Sequence, residues 1–190
     1  MSGQVNRKTL HELGLATDKS YVHQYLHVYE GLFEPIRDKA QNVLELGIWE
    51  GNSHRMWRDY FPKATVYGID ITSDRCGLME DEERIVVTFA NGYTKESVRS
   101  FNDIQFDVVV DDGPHSLESQ KFCAQNYSPL LAPNGILVIE DIPKMEWISE
   151  IAEVVPERLK PYMYAIDRRM APDIHSINDD IMFVIDKRYA

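Results

Sequence analysis

Two acidic runs hold the side chains best suited to chemistry: Asp111-Asp112-Gly113-Pro114-His115 and Glu140-Asp141. Each follows a stretch of apolar, largely β-branched residues, so each is expected at the end of a strand. If those strands are neighbours, roughly 4.8 Å apart, their carboxylates converge. Like charges that close repel and raise one another's pKa unless a cation lies between them. An all-oxygen set without thiolates or clustered histidines suits magnesium, with manganese and calcium as alternatives. Successive strand residues point to opposite faces, so Asp111 and Asp112 are not expected to be ligands together. Asp112, which leads into the Gly113-Pro114 turn, is the expected ligand, and Asp111 a brace for that turn. For Glu140 and Asp141 the same objection relaxes where the chain turns at the strand end. His115 is the one histidine within the cluster. A neutral imidazole there could take a proton from a hydroxyl whose acidity a metal has increased.

A second motif lies at Glu45-Leu46-Gly47-Ile48-Trp49-Glu50-Gly51-Asn52-Ser53. Gly47 permits a tight turn, and Gly51 lets a ligand approach the backbone beside a helix N-terminus. Trp49 stands where a dinucleotide fold needs its middle glycine, which counts against a nicotinamide cofactor. Asp70 follows Gly47 by 23 residues and ends the next apolar run, where a carboxylate can accept hydrogen bonds from ribose hydroxyls. Glu45 could meet an ammonium group or organise the turn. With Ser53, the set suits a ligand that has a ribose and an amine but no pyrophosphate. S-adenosylmethionine is such a ligand. The plainer alternative is that these residues only shape a strand-to-helix turn.

The elements that must position these groups are legible as an alternation. Five runs read as strands buried on both faces: Asn42-VLELG, Thr65-VYGID, Ile85-VVTFA, Phe106-DVVVDD and Ile136-LVIED. Between them, Asn52-SHRMWRDYF, Lys95-ESVRSF and Leu117-ESQKFCAQNY read as helices, whereas Ser73 to Glu83 is polar and irregular. The spacing of Tyr21, Tyr25, Val28, Tyr29, Leu32, Phe33 and Ile36 predicts one helix within residues 20–39. A helix at Glu146-WISEIAEVV and strands at Tyr162-MYAID and Asp180-IMFVID follow, the last two joined by a polar segment containing Pro172. The expectation is one α/β domain, a doubly wound, mostly parallel seven-stranded sheet over residues 41–190, with a helical segment at 1–40. Met56, Trp57, Tyr60 and Phe61 are expected to pack, and His11, His54 and His175 to be surface or packing residues.

Composition sets outer limits. The 190 residues are 44% hydrophobic and 27% charged, as in globular chains. Lys and Arg number 20 against 31 Asp and Glu, a net charge of −11 without a basic stripe, which counts against a nucleic-acid partner. No apolar run approaches the ~20 residues that span a bilayer. The first residues lack the apolar stretch of a secretion signal, and Cys76 and Cys123 are too few and too separated to suggest a disulfide framework or zinc site. A reducing, cytoplasmic setting is expected.

With these residues in hand, the chain resembles the metal-dependent O-methyltransferases of antibiotic biosynthesis. The nearest likeness is to macrolide sugar O-methyltransferases of the macrocin and mycinamicin type, with cephalosporin-pathway enzymes as wider relatives. The matching pieces are Thr17-Asp18-Lys19 followed by His23, Tyr25 and Tyr29; VLELGIWEGNS; MWRDYFPKATVYGID; FDVVVDDGPH; and GILVIEDI. The resemblance implies a class I, Rossmann-like methyltransferase domain. Glu45, Gly47, Ser53 and Asp70 would hold S-adenosylmethionine, with Asn91 to Tyr93 near its adenine. Asp112, Glu140 and Asp141 would coordinate magnesium, and His115 would be the general base. Thr17, Tyr25 and Tyr29 would help close the cofactor site. The chain departs from the family in Pro114, where serine is common, and in having only about a helix before its first strand. The acceptor is expected to be a small-molecule hydroxyl on a vicinal diol, sugar or catechol-like ring, with a homo-oligomer left open. Two competing readings remain: an NAD-dependent oxidoreductase, and a non-catalytic S-adenosylmethionine-binding or assembly subunit.

Overall fold

Seven strands form one sheet, ordered β3-β2-β1-β4-β5-β7-β6. The computed structural model describes residues 7–72, 81–171 and 179–189. Cys76, His175, Pro172 and most of the irregular stretch after Ser73 lie outside the described residues. The strands are β1 (Asn42–Leu46), β2 (Thr65–Asp70), β3 (Ile85–Phe89), β4 (Phe106–Asp111), β5 (Leu131–Ile142), β6 (Met163–Asp167) and β7 (Ile181–Asp186). β1 to β5 pair in parallel, while β7 runs antiparallel to both β5 and β6. The doubly wound expectation is therefore met, with β5 longer at its start than its apolar run indicates.

Strand alternation sorts the core into two layers. Val43, Val66, Val108, Val110, Ile136, Val138, Met182 and Val184 face one side. They pack against α1 (Leu10–Leu13), α3 (Leu26–Phe33) and α4 (Asn52–Tyr60) through Leu10, Tyr29, Phe33, Trp57 and Tyr60. Their neighbours Leu44, Leu46, Val109, Leu137, Ile139, Phe183 and Ile185 face the other side. There α5 (Lys95–Arg99), α6 (Leu117–Asn126) and α7 (Met145–Val154) supply Val98, Cys123, Ala124 and Ile151. Strand order reverses between β1 and β4, which opens a crevice at the C-terminal strand ends. Among the described residues no helix is long and apolar enough to cross a membrane.

One expected element is corrected. Instead of a single helix within residues 20–39, the chain forms α2 (Asp18–Tyr21), breaks, then forms α3 and a short 3-10 turn, Glu34–Ile36. Gln24 supplies the break with φ +56. The reason is angular. At roughly 100° per residue, one helix facing Lys19 and His23 toward the sheet would aim Tyr25 and Tyr29 elsewhere. The break lets both pairs reach the same carboxylates.

Candidate active site

The alternation that builds the core also builds the site. Glu45 continues the Val43 face of β1, Asp112 the Val108-Val110 face of β4, and Glu140 the Ile136-Val138 face of β5. Three carboxylates from adjacent strands thus share one face, while Asp111 points to the other and accepts a hydrogen bond from Tyr93 Oη. Asp141 would follow Asp111, but β5 is irregular between Ile139 and Ile142, and Asp141 has φ +54. That bulge turns its carboxylate back to the shared face. Gln120 Nε2 holds the bulged backbone through the carbonyls of Glu140 and Asp141, at 3.1 and 3.3 Å.

The cluster already contains one cation. Lys19 is 2% exposed, and its Nζ donates to Asp112 Oδ2 and Glu140 Oε2, both at 2.5 Å, and lies 3.4 Å from Glu45 Oε1. Burial opposes that charge, but Asp112, Glu140 and Glu45 outweigh it and hold the ammonium well above its ordinary pKa. Tyr29 Oη donates to Glu140 Oε1 at 2.5 Å, and Tyr25 Oη to Asp141 Oδ1 at 2.8 Å. His115, with φ +53, places Nε2 at 3.2 Å from Asp112 Oδ1 and 3.4 Å from Asp141 Oδ2. Burial lowers its pKa, yet the bond to Asp112 and the charge of Asp141 reverse the balance, and the net shift is upward. Burial, with Asp112 nearby, raises both Glu140 and Asp141. Asp112 is held low, because Lys19 and His115 overcome its desolvation.

Four carboxylates crowd around one ammonium in a buried crevice, and a further cation would relieve their mutual repulsion. Ligand atoms of Asp112, His115 and Asp141 lie within 4.8 Å of one another. The carboxylate oxygens of that group fit a hard divalent cation, and His115 stands beside them as a base. Glu140, expected as a third ligand, stands differently, since Tyr29 and Lys19 engage both of its oxygens.

Beside the cluster lies a cavity of about 930 Å³, within the range that holds cofactors. Thr17, Gly47, Ser53, Asp70, Asn91 and Tyr93 line it, and Asp112 belongs to both cavity and cluster. Asp70 Oδ2 accepts from the backbone N–H of Ile48 and Trp49 at 2.8 and 3.3 Å, which fixes the turn after β1. Oxygens at that carboxylate retain capacity for ribose hydroxyls. Gly51, φ +75, precedes α4 in left-handed backbone; Asn52 and Ser53 of the first turn line the cavity, while Gly51 itself does not. Glu45 lies beneath, accepting from Ser53 Oγ at 2.6 Å. Tyr25 and Tyr29, expected to help close the cofactor site, are buried behind it on the carboxylates.

Sequence reasoning assigned no role to Lys19, His23 or Asp180. His23 Nδ1 lies 2.9 Å from Asp180 Oδ1 and 3.5 Å from Asp141 Oδ1, stacked on Tyr25. The available signals were the place of Lys19 and His23 among the pieces that match the family and their proximity to Tyr25 and Tyr29 in sequence. His54 is a packing residue, as expected, but a polar one, 3.0 Å from Glu45 Oε2.

Comparison with known proteins agrees with this geometry. A family described as a methyltransferase domain matches residues 44–142. The Streptomyces olivaceus 8-demethyl-8-alpha-L-rhamnosyl tetracenomycin-C 2'-O-methyltransferase is 33% identical, covering 69% of this chain and 36% of that protein. Demethylmacrocin O-methyltransferase of Streptomyces fradiae is 32% identical over 66% of this chain and 33% of its own length. The solved structure of MycE methyltransferase from the mycinamycin biosynthetic pathway, in complex with Mg and SAH, aligns with TM-score 0.65 at 31% identity. That alignment covers 71% of this chain and 40% of that one. The chain spans about a third of the length of these curated relatives. Its sheet, parallel through β5 with β7 inserted antiparallel, is the class I S-adenosylmethionine-dependent methyltransferase arrangement. The chain belongs to the methyltransferase domain family.

Proposed function

We propose that this chain transfers a methyl group from S-adenosylmethionine to a small-molecule hydroxyl, assisted by a divalent cation, magnesium first. The observation that carries the reading is Asp112, which joins the cofactor-sized cavity to the carboxylate and His115 cluster. The relatives named as O-methyltransferases of natural-product sugars support a sugar or other vicinal diol as acceptor. When bound, the cofactor supplies an electrophilic methyl and the cation supplies positive charge at the acceptor oxygen.

The chain's residues do the rest. Asp70, Gly47, Gly51, Ser53, Asn91, Tyr93 and Thr17 hold the cofactor, and Glu45 supports Ser53 from below. Asp112 and Asp141 would hold the cation, with Glu140 as the third carboxylate. His115 would take the hydroxyl proton, freeing the acceptor oxygen for the methyl that S-adenosylmethionine would supply, with the sulfur leaving as a thioether. Residues 1–190 act as one methyltransferase domain, 1–40 as its helical lead-in, and the buried free Cys123 suits a reducing cytoplasmic setting.

The test is a labelled-methyl transfer screen over diols, glycosides and catechols, with and without magnesium. Product that requires metal, and that disappears in Asp112→Ala and Glu140→Ala, is expected. Full activity of both variants in chelator would remove the metal from the reading. Binding of NAD in preference to S-adenosylmethionine would replace the reading altogether.

A further inference from the structure

One member of the carboxylate cluster is a buried cation. Lys19 Nζ bonds Asp112 Oδ2 and Glu140 Oε2 at 2.5 Å each, with Glu45 Oε1 at 3.4 Å. A buried ammonium is tolerated only when carboxylates surround it, and here they do. Its position has a consequence for the cation. Glu140 Oε1 already accepts from Tyr29 and Oε2 from Lys19, so a cation at Glu140 would stand directly against the ammonium. Asp112 is likewise divided, Oδ2 toward Lys19 and Oδ1 toward His115. Asp112 Oδ1 and Asp141 Oδ2 face His115 Nε2 at 3.2 and 3.4 Å and are oxygens that Lys19 does not engage. Two cations within about 4 Å repel strongly at low dielectric, so a divalent ion and the Lys19 ammonium do not share Glu140.

We propose that Lys19 is a resident counter-ion that competes with the divalent cation for Glu140 and Asp112, so that coordination by all three carboxylates requires the ammonium to withdraw. The proposal rests on the metal-assisted reading above and deepens it. In the metal-free protein Lys19 partly neutralises the cluster and keeps Glu140 in place. Cation binding then starts at Asp112 and Asp141 and is completed by displacing Lys19. The residue sets how tightly, and at what concentration, the site fills.

Manganese alone, titrated into the full chain and followed by the electron paramagnetic resonance of the free ion, tests this without any methyl transfer. Lys19→Met removes the charge while keeping most of the side-chain volume. It should bind manganese at least about tenfold more tightly than the wild type, because a nearby positive charge is gone. Equal or weaker binding would overturn the competition while leaving the metal reading intact. Absence of binding by both proteins would overturn both. A second measurement uses the wild type and so does not depend on the variant folding. Acetylation by acetic anhydride, mapped by mass spectrometry, should find Lys19 protected without metal and labelled several-fold more with manganese, relative to the exposed Lys95. Protection that manganese leaves unchanged would mean that Lys19 stays where it is, and the proposal fails.

Discussion

Two residues of the carboxylate cluster hold left-handed backbone without being glycine: His115 at φ +53 and Asp141 at φ +54. Each such position costs roughly 1–3 kcal/mol and persists only where its surroundings over-determine it. Here both serve one end, since the first aims an imidazole at Asp112 and the second turns a carboxylate to the same face. His115 is absent from the cavity wall, so His115→Ala is expected to lower turnover by about 10²- to 10⁴-fold while cofactor affinity, measured by calorimetry, stays unchanged. An equal loss in both would make His115 a binding residue. Gly47 is the complementary case. At φ +92 a side chain is strained, and an added Cβ would meet the Asp112 carbonyl oxygen at 2.1 Å, which is backbone and has no rotamer to yield. Gly47→Ala should therefore separate the ends of β1 and β4. The expected outcome is a loss of about 1–3 kcal/mol in denaturant unfolding together with weaker S-adenosylmethionine binding. Wild-type values for both would show that the turn has slack the geometry denies.

At the scale of elements, α2 and α3 act as a clamp on the sheet rather than as a leading helix. Tyr29 stands in α3 with its ring against Trp57 of α4 and tilted on Phe33, at 5.2 and 5.1 Å, while its hydroxyl reaches Glu140. Aromatic packing fixes the ring, and the ring fixes a carboxylate oxygen. Tyr29→Phe keeps the packing and leaves that buried oxygen without its donor, which costs about 1–3 kcal/mol. Because Tyr29 does not line the cavity, the variant should lose stability in urea unfolding yet bind S-adenosylmethionine as the wild type does. Weakened cofactor binding with full stability would restore Tyr29 to the cofactor site that the family resemblance suggested. This element is also where sequence reasoning was least sufficient. Strands β1 to β5 were legible because apolar runs are local signals, and so was the placement of Asp112, Glu140 and Asp141 at their ends. The break at Gln24 was not legible, since it answers a demand from carboxylates far along the chain, at the ends of β4 and β5. Lys19 illustrates the same limit, being 93 residues from Asp112 and 121 from Glu140. A lysine near a helix start reads as solvated until the partner is known.

Across the whole molecule, the net charge of −11 matters less than where four of the carboxylates stand. The sheet gathers Glu45, Asp112, Glu140 and Asp141 from three adjacent strands onto one face at the point where strand order reverses. Folding must therefore hold together charges that the unfolded chain keeps apart, with Lys19 as the one resident lysine among them. A cation that binds only this assembled face must stabilise the fold by mass action. At about 100 times its Kd the gain is about 2.7 kcal/mol. For a chain of this length each kcal/mol moves Tm by about 2–4 °C, so magnesium should raise Tm by about 5–10 °C over the chelated protein. Potassium chloride at equal ionic strength is the informative control. Screening acts on exposed charges and little on buried ones, and Glu45, Glu140 and Asp141 are each less than 5% exposed. The monovalent salt should therefore reproduce only a small part of the shift, and Asp112→Ala should abolish most of the magnesium-specific part. A Tm that follows ionic strength alone, or an undiminished magnesium shift in Asp112→Ala, would place the stabilising ion elsewhere on this acidic surface.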